Sequence, residues 1–403
     1  MPDSADTTEG APDKQHRSHK KQRKFLLQIV AVVVILALIG WTGWYYAIGR
    51  WQVSTDDSYV SGNMVQISSK VAGTLVSIHA DEGDLVKAGQ VLAELDPNAT
   101  EIELDAAKAG LAEAVRNVAA LFSNAEAARA NMEARQADLA LAQANFSRTE
   151  RLAKAGVNSG ELLDEARATL LSAQSALAAA EQTHDAAQAL ISGTNVADNP
   201  AVKVADARLR AAYLDHVHTR LLAPIDGHVT QRRGQVGEYV TPGEALMAVV
   251  PLRDVWVDAN FKETQIRQMR IGQPVRLVSD LYGGSVPFHG TVEALGIGTG
   301  SAFSLLPAEN ATGNWIKIVQ RLPVRIKLDP DELKEHPLRI GLSMKATVDL
   351  HDTSGAVLAQ QPPAAPVLIT DVYKNQLRDA AALVDDIIRN NLSNGKGSTP
   401  AAP

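Results

Sequence analysis

Between about Asn98 and His218 the apolar positions of the chain recur at seven-residue intervals. Leu104, Leu111, Val118, Ala125, Met132, Leu139 and Phe146 form one row, and Ala107, Ala114, Leu121, Ala128 and Ala142 form its neighbour. This is the pattern of a coiled-coil seam. After a break the scheme returns with Leu163, Leu170, Leu177 and Ile191 on one row and Ala166, Ala173, Ala180 and Ala187 on the other; His184 is the departure. Leucine facing alanine lets two antiparallel helices approach closely. The break itself, Lys154-Ala155-Gly156-Val157-Asn158-Ser159-Gly160, reads as a hairpin tip in which Gly156 takes the left-handed closing conformation and Ser159 caps the next helix. An arm of about 55 residues rises roughly 80 Å at about 1.5 Å per residue. Ser192 to Pro200 interrupts the return arm, which resumes from Ala201 to about Val217.

On either side of this hairpin the periodicity changes to that of strands. Val65-Gln66-Ile67-Ser68 alternates, and turn signals follow at Asp81-Glu82-Gly83-Asp84 and Lys87-Ala88-Gly89-Gln90. Gly73, Gly83, Val86, Gly89 and Leu92 match Gly227, Gly237, Val240, Gly243 and Leu246 at one constant offset, with Glu238 in the place of Asp84. The hairpin therefore splits an internal repeat. Two such halves resemble those of a biotinyl or lipoyl carrier domain, whose carrier lysine sits on the turn joining them. Here Ala93-Glu94-Leu95-Asp96-Pro97 leads into the hairpin and no lysine stands at the junction. The resemblance implies the carrier fold without its chemistry. A further β region follows to about Leu350, with strands expected at Val255–Phe261, Pro274–Ser279, Gly290–Ala294, Leu322–Leu328 and Met344–Leu350, a short helix at Lys262–Met269, and loops at Gly296–Ser301, through Asn314, and at Asp329–Gly341; glycine and proline punctuate it at the spacing of a small barrel. A proline-alanine linker then leads to Asp371–Leu392, where Tyr373, Leu377, Ala380, Val384, Ile387 and Ile388 recur at helical spacing; an exposed amphipathic helix on a flexible tail is expected, with docking on the barrel or a marginal helix as the alternatives.

At the other end, Lys14, Arg17, Lys20, Lys21, Arg23 and Lys24 precede an apolar stretch from Phe25 to Ile48. About 24 helical residues rise roughly 36 Å, enough to cross a hydrocarbon layer of about 30 Å. The positive-inside rule places residues 1–24 in the cytoplasm and the chain beyond Gly49 across the membrane, with Trp41, Trp44, Tyr45, Tyr46 and Trp51 as the outer aromatic belt. A cleaved signal peptide would have a shorter apolar region and a small-residue cleavage site.

Composition narrows the chemistry. The net charge of −7, with no basic stripe beyond the N-terminus, argues against nucleic acid as partner. With no cysteine there is no disulfide, thiolate metal site or cysteine nucleophile. His216 and His218 point apart at that spacing on a helix, without a third ligand in the pattern. Gly296-Ile297-Gly298-Thr299-Gly300 opens no helix, and Gly395-Lys396-Gly397-Ser398-Thr399 lacks the strand and residue order of a phosphate loop. Asp56-Asp57 and Asp385-Asp386 have no accompanying nucleophile or histidine base. The expectation is a protein that is not an enzyme and uses no cofactor or metal.

Several of these segments carry a family resemblance over about Lys24 to Leu350: the single apolar helix, Thr55-Asp56-Asp57-Ser58-Tyr59-Val60-Ser61-Gly62-Asn63, the split lipoyl halves, Asn260-Phe261-Lys262-Glu263-Thr264-Gln265, and Gly298-Thr299-Gly300-Ser301-Ala302-Phe303 through Asn314-Trp315-Ile316-Lys317. Together they resemble the HlyD-type membrane fusion proteins, in their EmrA-type branch. The resemblance implies a mixed α and β, elongated protein: a cytoplasmic tail (1–24), a transmembrane helix (25–48), a strand joining a membrane-proximal barrel (49–64), a split lipoyl-like domain (65–97 and 220–250), a helical hairpin (98–219), a small β-barrel (251–350), and a linker with a C-terminal helix (351–403). It implies a periplasmic adaptor of a tripartite multidrug pump, assembled as trimers or hexamers in the inner membrane, linking a major-facilitator transporter to a TolC-like outer-membrane channel. An adaptor for ABC-type protein secretion and a membrane-tethered coiled-coil scaffold are the alternatives. The tip signature of the family is an arginine, a leucine four residues on and a serine seven further; Arg148, Leu152 and Ser159 fit it as the channel contact.

Overall fold

In the computed structural model, which describes residues 16–47, 49–300, 302–303 and 319–394, the apolar N-terminal stretch forms helix α1 (His16–Ala47) and passes through a 3-10 turn at Gly49–Trp51 into strand β1 (Gln52–Ser61). The family-like stretch Asn314–Lys317 and the glycine-rich Gly395–Thr399 lie outside the described residues. The chain divides into two compact units, one holding β1 and Pro251–Val367, the other Met64–Val250 and the segment from Leu368. The architecture is mixed α and β, with one N-terminal apolar helix, a long helical hairpin and a barrel.

In the second unit the first half of the repeat supplies β2 (Val65–Ser68), β3 (Gly73–Ile78), β4 (Leu85–Val86) and β5 (Val91–Leu95); the second half supplies β6 (Arg220–Leu222), β7 (Gly227–Thr230), β8 (Tyr239–Val240) and β9 (Ala245–Val250). The halves exchange strands. One sheet runs β2-β9-β7-β4 and the other β6-β5-β3-β8, so each contains two strands from either half. Gly73 pairs with Val240, and its counterpart Gly227 pairs with Val86. The turns obey the same exchange: Gly237 N donates to Leu75 O at 2.7 Å, and Gly83 N to Val229 O at 2.9 Å. Leu75, Leu92, Leu95, Val229, Val240 and Leu246 close a core contributed by both halves. Neither half has a complete sheet alone.

β5 and β6 are antiparallel neighbours, with Glu94 opposite Arg220 and Leu95 N donating to Thr219 O at 2.8 Å. This sets both feet of the hairpin side by side. Helix α2 (Asn98–Lys154) runs 57 residues outward; α3 (Gly160–Ala189) and α4 (Pro200–Val217) return. Exposed pairs such as Lys108–Asp105 at 2.8 Å and Arg129–Glu133 at 3.0 Å support α2, each by about 0.3–0.5 kcal/mol. The return arm breaks where Gly193 adopts φ +71°, and it restarts at Pro200, capped by the Asn199 carboxamide oxygen, which accepts from Ala201 N at 3.0 Å. Leu104, Leu111, Val118 and Ala125 of the heptad row are buried, whereas Met132, Leu139 and Phe146 nearer the tip are half-buried. Two helices alone cover only a narrow seam.

The first unit closes a barrel in the order β1-β10-β13-β12-β11-β14 from β10 (Trp256–Lys262), β11 (Pro274–Ser279), β12 (Pro287–Leu295), β13 (Arg321–Leu328) and β14 (Ser343–Asp349). Phe261, Phe288, Leu277 and Ile326 fill its core. Two local expectations change. Lys262–Met269 shortens to a 3-10 turn at Ile266–Gln268. The segment expected as a loop from Asp329 contains helix α5 (Pro330–Glu335), because Asp329 caps it, accepting from Asp331 N at 3.0 Å, and Pro330 opens it; Leu333 and Leu338 from this segment join the barrel core.

A larger correction concerns the C-terminal helix. Helix α6 (Gln376–Asn394) is docked along α2 and α4 rather than exposed. Ala380 and Val384 are buried, and Leu383, Ile387, Ile388 and Leu392 pack into a cluster with Leu111, Val115, Val118 and Leu209. Val115 lies off both heptad rows and is nevertheless fully buried, because a third helix covers the hairpin root. Arg116 Nη1 donates to Asn391 Oδ1 at 2.9 Å, His218 Nε2 lies 3.3 Å from Gln376 Oε1, and the Lys70 ammonium stands 3.9 Å from the centroid of the Tyr373 ring.

The exchanged core predicts an asymmetry between equivalent glycines. A Cβ on Gly227 would lie 2.5 Å from the Val250 carbonyl oxygen, whereas one on Gly73 meets nothing nearer than Leu95 Cβ at 3.4 Å. Gly227→Ala should cost about 1–3 kcal/mol, as overpacking does, and Gly73→Ala less than about 1, read from urea titrations followed by amide exchange in β7 and β3. Docking of α6 should also depend on pH. Burial, and then the Lys70 ammonium, lower the His218 pKa from its ordinary 6.5, outweighing Gln376 and Asp215. The folded state thus binds this proton less readily than the unfolded chain, so stability is present above pH 6.5 and is lost as pH falls below it. After correction for intrinsic rates, α6 amides should exchange faster at about pH 5.5 than at about pH 7.5, and His218→Asn should flatten the difference.

Candidate partner-binding tip and membrane anchor

The hairpin tip is built by local backbone rules. Val157 N donates to Leu152 O at 3.0 Å and Gly156 N to Ala153 O at 3.0 Å, with Gly156 at φ +71°. This is a Schellman closure, and only glycine takes that conformation without strain. Ser159 then occupies the N-cap position of α3 with extended backbone, but its side chain makes no capping bond. Its hydroxyl is exposed instead of spent on the helix end.

Arg148 and Leu152, one helical turn apart, share a face of α2, and both are exposed. Arg148 has no ion pair among the described residues. Its neighbours are engaged: Lys154 pairs with Glu150 at 2.9 Å, holding that carboxyl below its usual range, and Arg151 Nε donates to Ser147 O at 3.2 Å. Leu152 is 40% exposed, and two further apolar side chains stand out beside it, Val157 at 71% and Leu162 at 48%. Neither of these belongs to the site inferred from spacing. The signal that marks them is an apolar residue that falls outside both heptad rows at a turn. The tip therefore displays three apolar knobs, a free guanidinium and a free hydroxyl, which is the composition of a protein contact rather than of a reaction centre.

The membrane end differs in kind. Phe25–Trp51 is long and apolar enough to cross a membrane, with a mean hydropathy of 2.6 and no burial against the rest of the chain. Trp41, Trp44, Tyr45 and Tyr46 are at least half exposed at its end. Trp51 is set apart from them: it is half-buried against the barrel core, and its ring stacks on His351 at 5.1 Å.

The remaining candidates for chemistry are occupied structurally. Asp57 accepts from Arg321 at 2.7 Å and Asn260 at 3.2 Å, while Asp56 lies 3.5 Å from Lys345. Asp386 pairs with Arg389 at 3.6 Å. His216 Nδ1 is 3.5 Å from Thr100 Oγ1, and His218 faces α6. Gly296 N donates to Pro323 O at 2.8 Å, fixing the start of the glycine-rich loop to β13.

Comparison with known proteins agrees with this division. The model of the family described as "EMRA, alpha-helical hairpin domain" matches residues 99–219, and that of the "AAEA-like beta-barrel domain" matches residues 254–351. The multidrug export protein EmrA of Escherichia coli K12 is 42% identical over 347 residues, covering 86% of this chain and 89% of the relative. The probable multidrug resistance protein EmrK of the same organism is 44% identical over 313 residues (78% and 80%). The fatty acid resistance protein FarA of Neisseria gonorrhoeae is 41% identical over 335 residues (83% and 84%).

Exposure separates tip from seam in a testable way. Leu152→Ala should shift stability by no more than about 0.5 kcal/mol, whereas Leu111→Ala, at the fully buried root, should cost about 2–5 kcal/mol. Denaturant titration of the detergent-solubilised chain, followed by helix content, compares the two.

Proposed function

The chain belongs to the EmrA branch of the HlyD-type membrane fusion proteins, and on that footing we propose that it is the periplasmic adaptor of a tripartite multidrug efflux pump. It couples an inner-membrane major-facilitator transporter to a TolC-like outer-membrane channel. The observation that carries this reading is the tip: toward the end of a 57-residue helix and at the start of the next, Arg148, Leu152 and Ser159 are all exposed, and among the described residues the Arg148 guanidinium has no ion pair and the Ser159 hydroxyl no capping bond. A partner supplies what they lack.

In this reading α1 anchors the chain in the inner membrane, the basic cluster before it lies in the cytoplasm, and the barrel, lipoyl-like domain and hairpin stand in the periplasm. Copies assemble as trimers or hexamers, so that several hairpins present their tips together. Arg148 donates its guanidinium hydrogen bonds to carboxylate or carbonyl oxygens on the channel, Leu152 fills an apolar gap between channel helices, and the Ser159 hydroxyl accepts or donates at the rim. The adaptor does no chemistry of its own. Transport energy comes from the transporter, and the adaptor holds the conduit in register.

The absence of cysteine supplies a direct test. Ser159→Cys, cross-linked in intact cells through a short photoreactive maleimide, should capture an outer-membrane channel, and adding Arg148→Ala should reduce the capture about tenfold, the equivalent of about 1.4 kcal/mol. Capture of nothing but further copies of this chain would overturn the channel contact and leave the hairpin as a self-assembly element.

A further inference from the structure

At the junction between α1 and β1 stands a cation whose hydrogen-bond donors are unspent. Arg50 lies in the 3-10 turn that follows α1, at the outer end of the apolar span, and it is exposed. Its guanidinium carbon sits over the Trp51 ring, 4.7 Å from the centroid, and 5.8 Å from that of Tyr46. Among the described residues it has neither a carboxylate partner nor a hydrogen bond. Asp349, the carboxylate that holds His351 in this stack, is engaged with that residue, accepting from its backbone N at 3.0 Å and lying 2.6 Å from its Nδ1.

The aromatic platform is itself fixed. Trp51 O accepts from Leu350 N at 2.8 Å, the indole stacks on His351 with ring planes 26° apart, and its body packs on the barrel core. The barrel strand β1 begins at the next residue, Gln52. A guanidinium resting on an aromatic face keeps its edge N–H groups available, and their fork geometry matches two oxygens of one phosphate. Exposed Trp41, Trp44, Tyr45 and Tyr46 are the residue types that settle at headgroup level, and they immediately precede Arg50.

We propose that Arg50, held against Trp51, binds the phosphodiester of a phospholipid headgroup in the outer leaflet of the inner membrane. Because Trp51 is part of the barrel packing, this contact fixes the height of the barrel above the bilayer as well as the depth of α1. The inference rests on the reading above that α1 spans the membrane with the barrel beyond it.

Native mass spectrometry of the full chain, released from dodecyl maltoside micelles doped with phosphatidylglycerol, tests it. The wild type should retain one more phosphatidylglycerol per chain than Arg50→Gln, an exposed substitution that leaves the barrel core untouched. Trp51→Leu, which keeps the charge and removes the platform, should retain an intermediate number. Inorganic phosphate at tens of millimolar should not displace the lipid; displacement would mark a free-anion site and overturn the assignment to lipid. Equal lipid counts in wild type and Arg50→Gln would overturn it outright. An alkaline carbonate wash of cell membranes separates this failure from failure of the anchor. If wild type and Arg50→Gln both remain with the membrane while their lipid counts are equal, the headgroup site is wrong and the anchor stands. If the wild type is washed off, the anchoring reading falls and the headgroup site falls with it.

Discussion

The pairing of β5 with β6 is the constraint on which the rest of the hairpin-bearing unit depends. A hairpin whose outgoing helix is 57 residues long acts as a lever, and any slack at its base is multiplied at its tip. The chain removes that slack by making the last strand before the hairpin and the first strand after it direct neighbours, joined through Ala93–Leu221 and Glu94–Arg220 and through Leu95 N to Thr219 O. The two feet are one strand spacing apart, about 4.8 Å, nearer than the roughly 8–10 Å between packed helix axes, so the helices leave the sheet from a base narrower than their own packing distance.

That junction holds because the sheets around it are shared between the halves of the repeat. Each half lends its short strand to the sheet built on the other's glycine-led strand, β4 on β7 and β8 on β3. Burial of Leu75, Leu92, Val229, Val240 and Leu246 therefore comes only when both halves are present. The hairpin can be inserted between them because folding brings the halves together regardless of what intervenes, the loop-closure cost growing only slowly with length. The third helix adds to this at the root, where α6 covers the side of α2 and α4 that a two-helix seam leaves open, and among the described residues none covers the tip. Burial is thus graded, complete at the root where orientation is set and sparse toward the tip.

The barrel-bearing unit applies a different device to the same problem of transmitting position. The apolar helix runs into a barrel strand across one short turn, and Trp51 at the end of that turn is fixed to the barrel through the His351 stack and the barrel core. Asp57, seated at the bulge of β1 between Thr55 and Ser58, ties the same strand to Asn260 and Arg321 on β10 and β13. Its place in an acidic dipeptide suggests chemistry, yet its partners make it a brace.

Much of this was legible in the linear chain, for a physical reason. Heptad rows, the Gly156 turn, the apolar span and the glycine repeat are local or strictly periodic signals, and they alone determined that there is a hairpin, where it turns, that one helix suits a membrane, and that a β repeat is split. Arg148, Leu152 and Ser159 came from the family resemblance; the structure shows all three exposed, with Arg148 and Leu152 on one face of α2 because a helix converts spacing into position. Three things waited for the tertiary structure. The repeat shows two similar halves, but only the register shows that they exchange strands. The amphipathic pattern of α6 reads as an exposed helix, and only the tertiary structure shows its apolar face covered by α2 and α4, with burial of Val115 as the trace. Likewise Trp51 and Arg50 differ from other aromatic and basic residues only in what surrounds them, and the Trp51 surroundings are set by contacts with residues far apart in sequence.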